Sequence, residues 1–419
     1  MSKFIRSLLP GLLFFGLIIS VKSAGAAAGS LDPTFGRGGV TATNFVKLSY
    51  VIPYSVKLQP DGKILVLVET GAGKAEILRY TSTGTLDVTF GHKGIAQLPT
   101  NFTIFGSMVL QSNGQIVMAG EVADPNTGAA AFGLERVNPN GTVDTTFGTN
   151  DLAVASMGFP GTEAVLVMQP NGNILLGAQL EPIGRGLPFH TALARFSSTG
   201  TLDTTFGSGG TVSVPAVGGC SALAVLSTGE ILVVNGNAIA QFTTDGSQES
   251  TVTGGTIVAS AGSENPSITS VFQPNGAYIL ATAVSIGPGR NHNIATEVLR
   301  FDATGTPDST FANPIFRFTG NGGSGVEDVP NGIAVQANGD ILVVGAHSTP
   351  SSALNGLARL TPSGSFDPTF GTNGIVTNSV PTGTGGLEGV VIQPADGKIV
   401  TVGVANNLTE LTLSRYLGQ

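Results

Sequence analysis

The pattern of apolar and polar residues after position 50 alternates with period two and is interrupted by short turns. Seven segments carry two apolar stretches around a glycine: VKLQPDGKILVLV, MVLQSNGQIVMAG, LVMQPNGNILLGA, LAVLSTGEILVVN, SVFQPNGAYILAT, IAVQANGDILVVG and VVIQPADGKIVTVG. Alternating apolar residues around Asp-Gly or Asn-Gly are a strong hairpin signal, because these residues accept the positive φ of a tight turn. Each segment therefore predicts a strand, a turn and a second strand.

A second recurring phrase follows the first in most units. Its copies are ILRYTSTGTLDVTFG, LERVNPNGTVDTTFG, LARFSSTGTLDTTFG, VLRFDATGTPDSTFA and LARLTPSGSFDPTFG. The fourth unit departs from the pattern, because it reads IAQFTTDGSQESTV and lacks the Phe-Gly. The phrase predicts a second hairpin, so each unit holds four short strands. A repeat of four antiparallel strands is typical of a β-propeller blade.

The two ends of the chain are complementary parts of this repeat. LDPTFGRGGV at 31–40 is a fourth strand without the three before it, and the chain ends in LTLSRYLGQ, before a fourth strand. We therefore predict an all-β fold: a single seven-bladed β-propeller over residues 29–419, with four-stranded antiparallel blades. Its N-terminal outer strand pairs with the C-terminal blade and closes the ring, whereas a linear solenoid would carry capping repeats at its ends.

An arginine and an aspartate lie eight positions apart in the second hairpin of five units, where they can face each other across the strands. Arg415 in the last unit has no residue eight positions on, so we predict that Asp32 supplies its carboxylate. A role repeated in every unit indicates scaffolding. The same interpretation applies to the repeated phenylalanines, expected between neighbouring sheets: Phe35, Phe90, Phe147, Phe206, Phe311 and Phe370.

Through LQPDGKILVLV, ILRYTSTGTLDVTFG and their copies, the chain resembles the delta-60 repeat family of bacterial β-propellers. The resemblance covers nearly all of the chain after the leader. It implies a secreted or surface propeller, and it implies no particular activity, cofactor or catalytic residue.

The content of charged residues and the net charge limit the kinds of partner that can be expected. Charged residues make up 11% of the chain, against roughly 25% in ordinary soluble domains. The net charge is −8, and it becomes −11 without Lys3, Arg6 and Lys22. A negative surface repels phosphate backbones, so nucleic acid is not expected as a partner. With Cys220 as the only cysteine, no intrachain disulfide can form.

Residues 1–28 are interpreted as a signal peptide. Lys3 and Arg6 precede the apolar run LLPGLLFFGLIISV and the small residues SAGAAAG, which suit cleavage after Ala26 or Ala28. An uncleaved anchor is the alternative, but the run contains Pro10 and two glycines and is short for a span of roughly 20 residues. We expect a secreted, periplasmic or cell-surface monomer without a membrane span after cleavage.

Function in a ring of similar blades is expected where the repeats differ, in the loops. The longest connections, in units three, five and six, are AQLEPIGRGLPFHTA, AVSIGPGRNHNIATE and GAHSTPSSALNG, and all three belong to one face. The histidines lack the close spacing of a zinc motif, which favours loop positions over a metal site. The candidate ligand-binding residues are Arg185, His190, Arg290, His292 and His347.

Carboxylates precede the predicted first strands of several units and would surround the mouth of a central channel. They are Glu163, Glu264, Glu327, Asp328 and Glu388. Such a group could hold a hard cation such as calcium, which takes six to eight oxygens. Solvated carboxylates are favoured, because the sequence contains no Asp-x-Asp-x-Asp-Gly loop and rim residues are usually exposed. Apart from calcium, no cofactor is expected.

Two functions stay open at this point. The favoured one is an exported, noncatalytic propeller that binds a protein, a glycan or a small ligand through the variable loops of one face. The alternative is a secreted hydrolase or lactonase with a divalent cation at the acidic channel mouth, which rests on analogy with other propellers. Catalysis is the weaker hypothesis, because the sequence has no Gly-x-Ser-x-Gly elbow, no phosphate-loop lysine and no tryptophan.

Overall fold

The protein is described by a computed structural model over residues 26–45, 49–71, 73–99, 102, 104–181, 189–214, 220, 222–235, 238–253, 268–273, 275–286, 293–319, 326–349, 352–378 and 386–419. The predicted signal peptide lies outside these ranges except for residues 26–28. Regular structure in these ranges consists of strands, numbered β1 to β28. None of the residues so described belongs to a helix long and apolar enough to cross a membrane.

The strands follow the predicted repeat of four. After β1 (Val40–Asn44), the first three units comprise β2 (Val51–Leu58), β3 (Ile64–Thr70), β4 (Lys74–Tyr80), β5 (Ile95–Gln97), β6 (Ile104–Leu110), β7 (Ile116–Ala123), β8 (Ala130–Val137), β9 (Leu152–Ala155), β10 (Gly161–Met168), β11 (Ile174–Leu180), β12 (His190–Phe196) and β13 (Thr211–Val214). The next two comprise β14 (Ala222–Val225), β15 (Ile231–Asn235), β16 (Ala238–Phe242), β17 (Gln248–Thr253), β18 (Ile268–Phe272), β19 (Tyr278–Ser285), β20 (Ile294–Phe301) and β21 (Ile315–Phe316). The last strands are β22 (Glu327–Val335), β23 (Ile341–Thr349), β24 (Ser352–Leu360), β25 (Ile375–Asn378), β26 (Leu387–Ile392), β27 (Ile399–Ala405) and β28 (Glu410–Tyr416).

These strands form five four-stranded sheets and one eight-stranded sheet within the described ranges. The eight-stranded sheet joins the units β18–β21 and β22–β25 through one parallel bridge, between Ile294 and Glu327. Inside a unit, consecutive strands pair antiparallel, as β10 to β13 do. The predicted all-β fold of four-stranded antiparallel sheets is confirmed.

The first strand of each unit lies beside the first strand of the next unit in chain order, and β26 also lies beside β2. These first strands are β2, β6, β10, β14, β18, β22 and β26. Each first strand runs from the connection that enters its unit to a glycine turn. We call the end of the molecule that holds the connections between units, and between second and third strands, the variable face. The opposite end, which holds the glycine turns, is the turn face.

The N-terminal strand pairs with the C-terminal one. β1 runs antiparallel to β28, from Val40 opposite Ser414 to Asn44 opposite Glu410, and completes the sheet β1–β28–β27–β26. Nearby, Arg415 Nη2 lies 2.8 Å from Asp32 Oδ2. The predicted pair between opposite ends of the chain is therefore present.

The repeated phenylalanines pack between sheets, as predicted. Phe90 is fully buried at the end of the first unit, against the turn that contains Gly141 of the second. A Cβ at Gly141 would lie 2.3 Å from the backbone nitrogen of Gly91 and 3.0 Å from Phe90 Cδ2, and its φ is 87°. Only glycine accepts both the left-handed backbone and this close approach. Phe147 meets Gly200 of the next unit in the same way.

Each repeated arginine holds three groups at once. Arg136 Nη2 lies 2.8 Å from Asp144 Oδ2, and its guanidinium carbon lies 4.6 Å from the ring centroid of Phe147. Its Nη1 donates a hydrogen bond of 2.7 Å to the carbonyl oxygen of Ser198 in the next unit. The arginine therefore joins its own hairpin to the neighbouring sheet. The other predicted pairs are also ion pairs: Arg79–Asp87, Arg195–Asp203, Arg300–Asp308 and Arg359–Asp367.

The fourth unit departs from this arrangement, as its sequence does. Gln241 occupies the place of the arginine and donates to Glu230 Oε2 at 3.2 Å. The ladder between β16 and β17 shifts register between Gln241 and Phe242. The outer strand of this unit is therefore irregular where the Arg–Asp pair is missing.

Candidate functional site

In the described part of the chain, a β-bulge interrupts five of the first strands toward the variable face. The register shifts lie between Pro53 and Ser55, Phe105 and Met108, Gly161 and Glu163, Pro330 and Gly332, and Leu387 and Gly389. Tyr54, Asn331 and Glu388 are each the extra residue of their strand. A bulge takes a side chain out of the ordinary alternation and can aim it at a site. Because these residues differ between units that otherwise repeat, the units stop being equivalent here.

Side chains of the bulged strands form hydrogen bonds with the backbone of neighbouring first strands. Asn331 Nδ2 donates to the carbonyl oxygen of Leu387 at 3.1 Å, from β22 to β26. Ser107 Oγ accepts a hydrogen bond of 2.9 Å from the backbone nitrogen of Leu166, between β6 and β10. The positions of Asn331 and Ser107 are therefore fixed by contacts with the neighbouring strands.

Two tyrosines share one carboxylate beside the bulge of β2. The Tyr50 hydroxyl donates to Glu69 Oε1 at 2.7 Å, and the Tyr54 hydroxyl donates to Glu69 Oε2 at 2.9 Å. Burial, together with the bond to Glu69, raises the pKa of Tyr54, and the bond to Glu69 raises the pKa of Tyr50. Both phenols therefore stay protonated donors. Tyr54 is 40% exposed, so a ring fixed at its hydroxyl presents apolar surface to solvent.

Two of the predicted rim carboxylates, Glu163 and Glu388, stand at the variable-face end of β10 and β26. Glu163 is exposed and Glu388 is half-buried. Surrounding protein atoms raise the pKa of both by desolvation. Glu327 begins β22 and is half-buried, whereas Glu264 lies outside the described residues. In the part of the chain that is described, no three His, Cys, Asp or Glu side chains come together as a metal-binding group.

Asp328 is not at the rim, and the expectation that placed it there is wrong. It is fully buried, and its Oδ1 lies 3.0 Å from His347 Nδ1 on the adjacent strand β23. The same oxygen accepts a hydrogen bond of 2.9 Å from the backbone nitrogen of Phe318. The physical reason is strand alternation: Glu327 and Asp328 are neighbours in β22 and therefore point to opposite faces of the sheet.

His347 was expected on an exposed loop, and this expectation is also wrong. It is 4% exposed within β23, and its Nε2 lies 3.4 Å from Thr319 Oγ1. Its role is therefore to pair with Asp328 inside the protein. Of the other candidate ligand residues, His190 begins β12, half-buried, with its ring centroid 6.4 Å from that of Phe159. Arg185, Arg290 and His292 lie outside the described residues.

Cys220 lies in an environment that makes its thiol unreactive. It is fully buried, and burial together with the Glu163 carboxylate raises the pKa of its thiol to about 12. A thiol that stays protonated at neutral pH is a poor nucleophile.

Four repeats of the chain match a family model described as "Domain of unknown function (DUF5122) beta-propeller", over residues 59–90, 111–147, 169–206 and 336–370. The repeats are β-propeller repeats. The matched segments of the propeller begin at the turns after β2, β6, β10 and β22 and extend to the Arg–Asp–Phe hairpin. A search of curated proteins found none that matches the sequence.

Several solved structures are similar to the propeller. An α-L-arabinanase of Penicillium chrysogenum complexed with arabinobiose is 11% identical, with a TM-score of 0.48, over 90% of this chain and 97% of the other. An α-L-arabinofuranosidase of Fusarium graminearum is 11% identical, with a TM-score of 0.45, over 93% and 96%. A protein of unknown function from Bacteroides caccae is 14% identical, with a TM-score of 0.38, over 63% and 85%.

The bulged residues are the part of the site that loop length did not reveal. Tyr54, Asn331 and Glu388 each stand five positions before the turn glutamine of their unit, and Gly106 stands there in β6. Comparison of the propeller units at a fixed offset from that glutamine would have found this variable position. Glu69 carries no such signal, because only the folded hairpin brings it to both tyrosines.

Proposed function

We propose that the protein is an exported, noncatalytic β-propeller that binds a glycan at its variable face. In this proposal the seven units form a closed ring, and the first strands surround a central channel. The mouth of the channel is defined here by Tyr50, Tyr54, Glu69, Glu163 and Glu388. The observation that carries the proposal is the Tyr50–Glu69–Tyr54 group, two aromatic rings fixed by one carboxylate.

Sugar recognition suits this chemistry. The apolar face of a pyranose or furanose ring packs against an aromatic ring, while its hydroxyls need hydrogen-bond acceptors beside that ring. Tyr54 offers exposed aromatic surface, and Glu69, Glu163 and Glu388 offer carboxylate oxygens. Because the hydroxyl of Tyr54 is already fixed at 2.9 Å from Glu69, little side-chain freedom is lost on binding.

The closed ring has support of its own. β26 lies beside β2, and β1 fills the fourth place in the sheet of the last unit. The resemblance to the delta-60 repeat family, export through cleavage of residues 1–28, and a monomeric state in the periplasm, on the cell surface or in the medium are further parts of the proposal. Mass spectrometry of the protein recovered from its native cell fraction tests the cleavage site directly.

The test of function is a glycan array followed by titration calorimetry with the glycan that binds. Tyr54→Ala should weaken binding at least about tenfold, and Tyr50→Phe, which keeps the ring and removes the donor, should weaken it less. Val88→Ala is the matched control, because Val88 is an exposed apolar residue 69% accessible and outside the mouth. A binder whose affinity is the same in Tyr54→Ala and wild type would contradict the assignment.

The loops form the second arm of the test. Replacing residues 182–188 and 287–292 by short Gly-Ser linkers should reduce binding while the thermal midpoint stays within a few degrees. Metal analysis of protein purified without chelator addresses the calcium hypothesis, and Glu163→Gln with Glu388→Gln is the matching variant. A stoichiometric ion lost in that double variant would support the hydrolase alternative.

A further inference from the structure

The residue that follows the turn glycine of the first hairpin is polar in six units and apolar in one. The polar residues are Lys63, Gln115, Asn173, Glu230, Asp340 and Lys398. In the fifth unit this residue is Ala277, which follows Gly276. Ala277 directly precedes β19, as Lys63 directly precedes β3. The two residues therefore hold equivalent places on the turn face.

Lys63 shows what a polar side chain does at this place. Its Nζ lies 3.3 Å from Asp61 Oδ2 and 3.4 Å from Asp87 Oδ2. Asp87 is the carboxylate of the repeated Arg–Asp pair. The last unit has the same arrangement, with both distances at 3.0 Å, through Lys398, Asp32 and Asp396. In these two units the turn face therefore holds a primary ammonium group between two aspartates.

The fifth unit keeps the ion pair but has a cavity where the lysine would lie. Arg300 Nη2 lies 2.7 Å from Asp308 Oδ2. These two side chains are 19% and 27% exposed, against 7% and 8% for Arg79 and Asp87 in the first unit. Ala277 is too short to cover the pair, and both line a cavity of about 450 Å³. Small molecules commonly occupy cavities of roughly 300–1,000 Å³ in proteins.

The charges that line this cavity sum to −1, because Arg300 contributes one positive charge and Asp302 and Asp308 contribute one negative charge each. Hydrogen bonds from Thr310 lower the pKa of Asp308 to about 2. Burial raises the pKa of Asp302, but hydrogen bonds, chiefly from Thr304, outweigh it and lower the pKa. Both carboxylates are therefore charged at neutral pH. In the first unit the corresponding charges sum to zero, and they come from Arg79, Lys63, Asp61 and Asp87.

We propose that the cavity of the fifth unit binds a small primary alkylamine, whose ammonium group takes the place that a lysine Nζ has in the first and last units. The ammonium group donates to Asp302 and Asp308, and the alkyl chain packs against Pro307, which also lines the cavity. An ammonium group has three donors and no acceptor, which suits a cavity whose excess charge lies on carboxylates. The site belongs to the turn face, opposite the proposed glycan site, and does not depend on closure of the ring.

The experiment titrates the intact protein with n-butylammonium chloride at constant ionic strength and measures binding by ligand-observed NMR. Ala277→Lys places a lysine in the cavity, as in the first unit, and should weaken binding at least about tenfold. Adding Lys63→Ala to that variant opens the equivalent cavity of the first unit and should restore binding. Asp302→Asn keeps the shape of the side chain and removes the excess charge, so it should weaken binding about two- to fivefold.

Binding to the wild type that Ala277→Lys removes and the added Lys63→Ala restores supports the proposal. No saturable binding to the wild type overturns it, and so does undiminished binding to Ala277→Lys, because the amine then binds elsewhere. Tetramethylammonium, which has no N–H donor, should compete at least about tenfold more weakly than n-butylammonium. Equal competition would show attraction by charge alone and would overturn a site for primary amines. If thermal unfolding shows that Ala277→Lys is not folded, Asp302→Asn decides, and unchanged affinity in that variant overturns the proposal.

Discussion

Arg415 in the last unit donates a hydrogen bond of 2.7 Å to the carbonyl oxygen of Ser82 in the first unit. Gln393 Nε2 donates to the same oxygen at 2.9 Å. Inside the chain, Arg136 and Gln111 hold the carbonyl oxygen of Ser198 in the same way. The junction between the last and the first unit therefore uses the bonds of an interior junction, which supports the proposed closure.

Loss of the Asp32 carboxylate should destabilise the protein more than loss of an equivalent carboxylate elsewhere. The side chains of Asp32 and Arg415 are 3% and 5% exposed, and Asp32→Asn leaves a buried guanidinium without its charge partner. We expect a loss of about 3–5 kcal/mol in the free energy of unfolding. Asp308→Asn is the matched control, because Asp308 is 27% exposed and should cost clearly less. Equal shifts of the urea midpoint in both variants would argue against a structural role of the terminal pair.

The protein should lose stability in acid through its repeated aspartates. Burial raises the pKa of Asp87, but hydrogen bonds from Thr89 and the charges of Arg79 and Lys63 outweigh it and lower the pKa to about 2. An aspartate in an unfolded chain titrates near 3.9. The stabilisation is therefore complete above about pH 4 and disappears as the pH falls toward 2. Asp87→Asn should flatten the decline of unfolding free energy over this interval, and an unchanged slope would contradict the prediction.

Close packing of the first strands predicts that Gly106→Ala is destabilising. A Cβ at Gly106 would lie 2.3 Å from the carbonyl oxygen of Ala164 in the next unit. This oxygen belongs to the backbone and cannot move away as a flexible side chain could. We therefore expect the free energy of unfolding to fall by about 1–3 kcal/mol. Val88→Ala at the surface should stay within about 0.5 kcal/mol of wild type. Chemical denaturation that shows no difference between the two variants would mean that β6 and β10 are farther apart than described.

The buried Asp328–His347 pair should behave as one unit. His347→Leu removes the imidazole that lies 3.0 Å from the buried Asp328 Oδ1 and should lower the free energy of unfolding by about 1–3 kcal/mol. The double variant Asp328→Leu with His347→Leu should cost less than the sum of the two single changes, because neither partner is left alone. A double-mutant cycle measures this coupling energy. Additive effects would show that the pair contributes no interaction of its own.

The repeat made most of the scaffold predictable. An interval of eight positions across a glycine turn sufficed to predict Arg136–Asp144, and complementary ends sufficed to predict Arg415–Asp32. The first pair depends on local register, which the turn fixes, whereas the second depends on one repeat being divided between the two ends of the chain. The packing of Phe90 against the next unit followed from the recurrence of this phenylalanine at the end of every unit except the fourth.

The candidate site was less predictable, because it depends on departures from the repeat. Tyr54 reaches its position through a bulge, which adds one residue to a strand and leaves no period-two signal. Asp328 and Glu327 are adjacent in sequence, so only the strand register decides which of them is buried. The approach of Glu69 to two tyrosines is a tertiary contact that no spacing encodes.

Closure of the ring is the central claim, because the proposed channel and its mouth both depend on it. The most direct measurement is disulfide formation in the variant Val40→Cys with Ser414→Cys, two positions directly opposite each other in the ladder between β1 and β28. Opposed residues on antiparallel strands lie about 4.5–5.5 Å apart at Cα, within the range that a disulfide spans. Mild oxidation of the folded monomer should yield a peptide that links the two ends of the chain. The two single-cysteine variants should yield no such peptide. If the double variant forms only intermolecular disulfides, or none, the ends do not meet and the closed ring is refuted.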